Sequence, residues 1–361
     1  MTDATAIDYG RTRAAPHVEA LLVHARSLDD AGRHEDAVAA LRSAAAEGHG
    51  AAMHALGARL LVGRDAPFEP QEGLALLKQA VEGGDPDATA LMATLTAAGA
   101  WVEPSWPRAF ELLQAAAERG SDRGQRQLIL LAGDRPLAEQ TKTGGARTPE
   151  TWARLRESVD FAYWTTPPGR RAVCEAPRIR LAEGFTTPEV CDWIIDRARG
   201  RLKPALMYDG RETHALDTRT CTDFVFDIVE ADLVVLLLRA RISNLTKLPT
   251  ACMEPPQVFH YALGQEIKAH FDHVGGAKSE HDAERIATFL IYLNDGYEGG
   301  DLNFSRVGFQ YKGRKGDAIF FANVDAEGKA DRLSLHAALP ITRGEKYMFS
   351  QWIQNKPTAG R

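Results

Sequence analysis

Cysteine is scarce and scattered. Cys174, Cys191, Cys221 and Cys252 are the four in 361 residues, and no two of them form a C-x-x-C pair. That excludes a disulfide framework and the usual zinc spacings, and it suits the reduced thiols of a cytoplasmic protein. Long apolar runs are missing as well: none approaches the roughly 20 residues that a membrane-spanning helix needs. Residues 1–16 (MTDATAIDYGRTRAAP) have no apolar centre of the kind a secretory leader requires. Nor is there an excess of one charge. A formal net charge of −6 and a pI near 6.0 provide no basic field for nucleic acid or for an anionic membrane surface. What remains is ordinary, 44% hydrophobic and 25% charged, so disordered and fibrous classes are excluded. The length suits two or three domains, each with a buried core.

The N-terminal third repeats itself. At a shift of 36 residues Leu41, Leu77 and Leu113 align, as do Ala44, Ala80 and Ala116, then Gly48, Gly84 and Gly120, then Leu56, Met92 and Leu128. Small residues suit close helix crossings, and the glycines suit helix ends where the backbone turns left-handed. Each unit reads as a helix pair, with second helices over 73–82 and 109–119, and residues 18–46 supply a less regular capping pair. One pair cannot bury its own apolar face, which is the physical reason to stack several. The Ala-Ala-x-x-Gly ending resembles Sel-one-like repeats, relatives of tetratricopeptide repeats. That resemblance implies a surface for protein partners; an alanine-rich bundle that only braces the rest is the alternative. The domain expected here spans 17–132.

Residues 133–170, with Gly133-Asp-Arg-Pro and Thr141-Lys-Thr-Gly-Gly-Ala-Arg-Thr-Pro149, read as a linker. A short amphipathic helix over 152–164 interrupts it, with its domain left open. From 171 to 356 the pattern changes. A helix opens at Thr187-Pro188, with Thr187 as N-cap, and a second covers 227–244. Short β-type runs follow over 256–263, 266–271, 286–292, 317–322 and 346–353, separated by glycine-rich turns. Together these predict a multidomain α and β chain. An N-terminal α-helical repeat solenoid precedes a double-stranded β-helix, or jelly-roll barrel, braced by helices.

The chemistry concentrates at His270-Phe271-Asp272. On a strand, side chains alternate, so the imidazole and the carboxylate share a face and Phe271 takes the other. With His336, 66 residues downstream, they form a two-histidine, one-carboxylate triad. Such a site holds Fe(II) and leaves positions open for a cosubstrate and O2. A second His-x-Asp, His34-Glu35-Asp36, sits in a polar turn without strand pattern and reads as surface. His273 has the wrong parity for a ligand.

The ordered set around this motif resembles the catalytic domain of prolyl 4-hydroxylases, within the Fe(II)/2-oxoglutarate dioxygenases. Glu254-Pro-Pro-Gln-Val leads into Tyr261-x-x-Gly-Gln-x-x-x-x-His270-x-Asp272. Arg285-x-Ala-Thr288-x-Leu-x-Tyr-Leu-Asn-Asp-x-x-x-Gly-Gly300 follows, then Lys315-Gly-Asp-Ala-Ile-Phe-Phe321, Ser334-Leu-His336, Lys346 and Trp352. The resemblance covers roughly residues 178–353. It implies Fe(II) on His270, Asp272 and His336, and 2-oxoglutarate and O2 as cosubstrates, with ascorbate supporting activity. The far carboxylate of 2-oxoglutarate falls to Lys346, ten residues after His336. Tyr261 and Thr288 line the same pocket, and Trp352 and Arg219 meet the primary substrate. Parity agrees for two of these: residues 346, 348, 350 and 352 share one face of a strand, so Lys346 and Trp352 point into the barrel.

The implied activity is hydroxylation of a protein or peptide side chain, with 2-oxoglutarate decarboxylated to succinate and CO2. Asp301, where a threonine is commoner, and Ala338, in His336-Ala-Ala-Leu-Pro340 where a glycine usually follows the first alanine, depart from the family pattern. They leave the iron and cosubstrate residues untouched and leave the primary substrate open. A non-catalytic jelly-roll sensor or scaffold acting through its repeats is the alternative, and an intact ligand set with its cation argues against it. The polar loop 277–284 is placed to act as a lid.

Overall fold

The computed structural model describes residues 16–205, 207–208, 213–214, 218–273 and 283–357. The chain divides into two compact units, Met1–Asp160 and Phe161–Arg361. In the first, the 36-residue period appears directly in the helix starts. Helices His34–Ala46, Pro70–Glu82 and Trp106–Glu118 begin 36 residues apart, and so do Gly50–Val62, Pro86–Ala98 and Asp122–Leu131. Helix Pro16–Asp30 packs at the front of the series. The aligned positions are the buried ones: Leu41, Leu77, Leu113, Ala44, Ala80 and Ala116 are each at most 2% exposed. Gly48, Gly84 and Gly120 take φ of 90°, 86° and 93°, the left-handed region that ends a helix cheaply only at glycine.

One close helix crossing in this unit depends on two more glycines. A Cβ at Gly57 would lie 2.8 Å from the Gly73 carbonyl oxygen, and a Cβ at Gly73 would lie 2.8 Å from that of Gly57. One period later the equivalent positions are Ala93 and Ala109, both 0% exposed.

Residues 133–170, expected as a linker with one short helix, contain three. Helices Arg135–Lys142 and Pro149–Glu157 belong to the repeat unit. Trp152 and Leu155 are buried, Arg156 Nε donates to Gln114 Oε1 at 2.6 Å, and the Gly133 N–H donates to the Ser158 carbonyl at 2.9 Å. The helix expected over 152–164 is therefore broken: its second piece, Phe161–Thr165, belongs to the other unit. There Arg241 donates to the Tyr163 carbonyl at 2.9 Å, and Asn244 Nδ2 donates to that of Thr165 at 2.9 Å.

The second unit is a jelly roll. An eight-stranded antiparallel sheet runs in the order Arg171–Glu175, Arg178–Ala182, Ala318–Ala322, Arg285–Tyr292, Lys346–Gln354, Gln257–Tyr261, Thr222–Val225, Lys203–Pro204. A four-stranded sheet runs Phe309–Tyr311, Leu302–Phe304, His336–Ala338, Ile267–His270. The core between them draws on both: Tyr292, Ile319 and Phe321 come from the large sheet, and Leu302, Phe304 and Ala338 from the small one. Thr187 caps helix Pro188–Ala198, accepting from the Val190 N–H, as its sequence indicates. The next helix is Leu233–Thr246, not 227–244. The Asp227 carboxylate accepts from the N–H groups of Val229 and Glu230 (3.1 and 3.0 Å) and holds a turn instead. Asp232 is the true cap, accepting from Val235 N–H at 3.0 Å, and it also accepts from Trp193 Nε1 at 3.0 Å. Most of the loop expected as a lid, residues 277–282 of 277–284, lies outside the described residues.

The Gly57–Gly73 contact makes a testable demand on the repeat unit. Gly57→Val should destabilise it by about 2 kcal/mol through overpacking against a neighbouring backbone. Urea unfolding followed by helical circular dichroism measures this, and an unchanged midpoint for the helical transition would show that the two helices can separate at little cost.

Candidate active site

The small sheet places the first two histidines. Strands Ile267–His270 and His336–Ala338 pair antiparallel with His336 opposite His270, and the rings lie 4.4 Å apart, centroid to centroid. Asp272 follows two residues after its strand ends, in a bend, yet its carboxylate turns back between them. Asp272 Oδ1 is 3.5 Å from His270 Nε2, and Oδ2 is 3.6 Å from His336 Nε2. One ligand atom from each of the three lies within 4.8 Å of the others, and among the described residues these three form the one such group. Phe271 points outward and is 39% exposed. His34 heads a helix and bonds Asp29 at 3.0 Å.

The donor set is prepared for a metal cation. His270 Nδ1 lies 2.9 Å from the Lys268 carbonyl oxygen, and His336 Nδ1 lies 2.9 Å from that of Ser334. A carbonyl only accepts, so each Nδ1 carries a proton, and in the neutral ring the Nε2 lone pair then faces Asp272. Burial, reinforced by His270, pushes the His336 imidazole down to about 4, so it is neutral at physiological pH. Burial opposes charge on Asp272, but His336 and then His270 outweigh it and hold the carboxyl well below the usual range. Two imidazole nitrogens and one carboxylate converging on a single point, with no further protein ligand in the group among the described residues, fit Fe(II) with open positions.

The same cavity is lined by every other residue named from the sequence: Tyr261, Thr288, Lys346, Trp352 and Arg219. Met348 and Ser350 join Lys346 and Trp352 along one face of strand Lys346–Gln354. Lys346 is 2% exposed and pairs with Tyr261 across the sheet. Its ammonium donates to the Gly300 carbonyl at 2.5 Å and lies 5.2, 5.5 and 5.9 Å from the rings of Tyr261, Tyr292 and Tyr297. Burial lowers its pKa to about 7, against the pull of Asp301. Gly300 (φ +69°) must be glycine here, because a Cβ would collide with Ile341 and crowd Lys346 Cδ at 3.2 Å.

Arg343 is different: its side chain is 75% exposed and bonds Glu298 at 2.6 Å. Trp352 is a wall of the cavity, 3% exposed. Arg285 lies 3.7 Å over its ring and forms a two-pronged pair with Glu254 at 2.6 and 2.7 Å. The Arg219 guanidinium lies 5.3 Å over Phe259. Thr288 both lines the cavity and donates to Asp272 Oδ2 at 2.6 Å.

Sequence reasoning did not single out Tyr292 and Tyr297 around Lys346, or Asn323 behind Thr288. Tyr292 stands in the quoted motif, and its alternation with Thr288 and Leu290 offered a signal; Tyr297 lies beyond the end of that strand and had none. Asn323, just past a strand end, offered none.

Residues 256–354 match the 2OG-Fe(II) oxygenase superfamily. The probable prolyl 4-hydroxylase 7 of Arabidopsis thaliana is 32% identical over 200 residues, 50% of this chain and 63% of that protein. This chain therefore spans just under two thirds of that relative. The probable prolyl 4-hydroxylase 6 of the same plant is 31% identical over 215 residues, 54% of this chain and 74% of that protein. Among solved structures, a Sel1 repeat protein from Oxalobacter formigenes aligns with a TM-score of 0.30 at 20% identity, covering 42% of this chain and 64% of that one. With its catalytic half matched in this way, the chain belongs to the 2OG-Fe(II) oxygenases, in the family of the prolyl 4-hydroxylases.

Proposed function

We propose that the protein is an Fe(II)- and 2-oxoglutarate-dependent hydroxylase acting on a protein or peptide side chain. The observation that carries this reading is the buried lysine placed in one cavity with the triad His270, Asp272 and His336. A triad alone would suit several iron enzymes. A cation 2% exposed, with a backbone carbonyl as its hydrogen-bond partner, requires an anion to complete it, and the second carboxylate of 2-oxoglutarate supplies one.

His270, Asp272 and His336 would hold the iron; when bound, iron with 2-oxoglutarate and O2 supplies the oxidation that hydroxylates a C–H bond and yields succinate and CO2. Lys346 binds and orients the remote carboxylate, and the tyrosine rings around it keep water from competing. Trp352, fixed by the Arg285–Glu254 pair, and Arg219 form the wall that the primary substrate meets. The relatives' names and the repeat unit together favour a protein or peptide target, recruited through residues 17–132. Ascorbate would keep the iron reduced. Four free thiols support a reducing compartment, the cytoplasm, as its location. Among the described residues, no helix is long and apolar enough to cross a membrane.

His270→Ala, Asp272→Ala and His336→Ala are each expected to abolish Fe(II)-dependent decarboxylation of 2-oxoglutarate while the far-ultraviolet spectrum stays native. Turnover near the wild-type rate in any of the three would remove that residue from the metal site.

Lys346→Met should weaken 2-oxoglutarate binding more than tenfold (about 1.4 kcal/mol per factor of ten) and leave Fe(II) affinity intact, whereas Arg343→Met should change little. Anaerobic titration of the Fe(II) protein, read from its metal-to-ligand absorption band, compares the two. The same titration has a pH signature. The free lysine loses its proton as pH rises through about 7, and binding a dianion must restore that proton. Affinity for 2-oxoglutarate should therefore fall from pH 7 to pH 9 in the wild type and stay flat in Lys346→Met. An equally steep fall in both would assign the titration to another group.

A further inference from the structure

Asp272 is anchored from behind by two residues on the large sheet. Its Oδ2 accepts from the Thr288 hydroxyl at 2.6 Å, and Thr288 Oγ1 accepts from Asn323 Nδ2 at 3.0 Å. Asp272, Thr288 and Asn323 are 4%, 1% and 0% exposed. Thr288 is held in mid-sheet, paired with Phe321 on one side and Trp352 on the other. Asn323 directly follows strand Ala318–Ala322, and its backbone is fixed at both ends. Its N–H donates to the Ile286 carbonyl at 2.9 Å, and its carbonyl accepts from the Asp331 N–H at 2.9 Å.

The direction of this chain is determined by what each group can do. An ionised carboxylate only accepts, so the single hydroxyl proton of Thr288 points at Asp272. Oγ1 is then left as an acceptor, and only the amide NH2 end of Asn323 can satisfy it, which sets the rotamer of the amide. The other end, Oδ1, is buried with no hydrogen-bond partner among the described residues. A buried amide with one unmatched atom is poor core material, so its placement is better explained by the donor that it presents.

We propose that Asn323 and Thr288 are positioning residues that act as a one-way relay on the Asp272 carboxylate. They tie down Oδ2, set the plane of the group and leave Oδ1 as the metal ligand. The proposal rests on the reading of His270, Asp272 and His336 as the metal site. It predicts that the relay governs how tightly and in what geometry the metal is held, separately from cosubstrate binding at Lys346.

The test is anaerobic titration of the full-length protein with Co(II) alone, following both affinity and the visible ligand-field bands at saturation. Thr288→Val keeps the shape and removes the hydroxyl. It should weaken Co(II) binding by roughly 10–100-fold, the range for outer partners of metal ligands, and should alter the bands. Thr288→Ser restores the donor and should return both to within about threefold of wild type and to the wild-type spectrum. Asn323→Asp replaces the donor by an acceptor that competes for the Thr288 proton, so it should weaken binding in the same direction as Thr288→Val. This variant keeps the test open if the valine variant fails to fold.

Natively folded Thr288→Val or Asn323→Asp protein with wild-type Co(II) affinity and bands would overturn the relay. Asp272→Ala, run alongside, separates the two levels. If it too binds Co(II) like the wild type, the metal site itself has been misplaced. If it loses binding while Thr288→Val keeps it, only the relay is wrong.

Discussion

The cross-strand pairing of His336 with His270 is the constraint from which the catalytic half takes its form. Two imidazoles directly opposite on an antiparallel ladder sit close enough to share a cation. Both can do so only if each Nδ1 proton is turned away toward a backbone carbonyl, as happens at Lys268 and Ser334. The strand Ile267–His270 must then end at once, so that Asp272 can return toward the pair in place of continuing along the sheet. The small sheet, its register and the bend after His270 all serve that three-atom convergence.

The large sheet takes the opposite part, managing buried charge. It places a carboxylate's hydrogen-bond partner, Thr288, and a cation, Lys346, on the same inner face, on strands that pair directly with each other. Neither charge is comfortable there. Asp272 has a hydroxyl donor behind it and two imidazole nitrogens before it, an arrangement that a cation completes. Lys346 has a carbonyl and three aromatic rings, which only partly replace water, so its proton is held loosely. That imbalance favours the arrival of a dianion. On the proposed reading, an incompletely compensated lysine in the free protein would become a fully compensated one with 2-oxoglutarate bound.

Much of this was readable from the sequence because it follows from periodicity. The 36-residue repeat set the helix starts of the first unit, and strand parity placed Lys346, Met348, Ser350 and Trp352 on one face. The misreadings have local causes. The helix expected from Asp227 starts after Asp232, because an aspartate can close a turn with its own side chain as readily as cap a helix, and only tertiary contact with Trp193 chooses between them. The stretch 133–170 reads as a linker because its glycines and prolines are turn formers, yet Trp152 and Leu155 bury themselves against the repeats. Asn323 could not be seen at all: its partner is 35 residues away, and no period connects a residue after one strand to a hydroxyl within another.

The central claim is that these three side chains, in this geometry, hold the iron. The most direct measurement is anomalous X-ray diffraction at the iron edge from crystals loaded anaerobically with Fe(II) and 2-oxoglutarate. The account predicts one strong peak within bonding distance of His270 Nε2, His336 Nε2 and a single oxygen of Asp272, with 2-oxoglutarate density running from that peak to Lys346. A stoichiometrically loaded crystal whose iron peak lies away from these atoms, or whose cosubstrate ends at a cation other than Lys346, would contradict it.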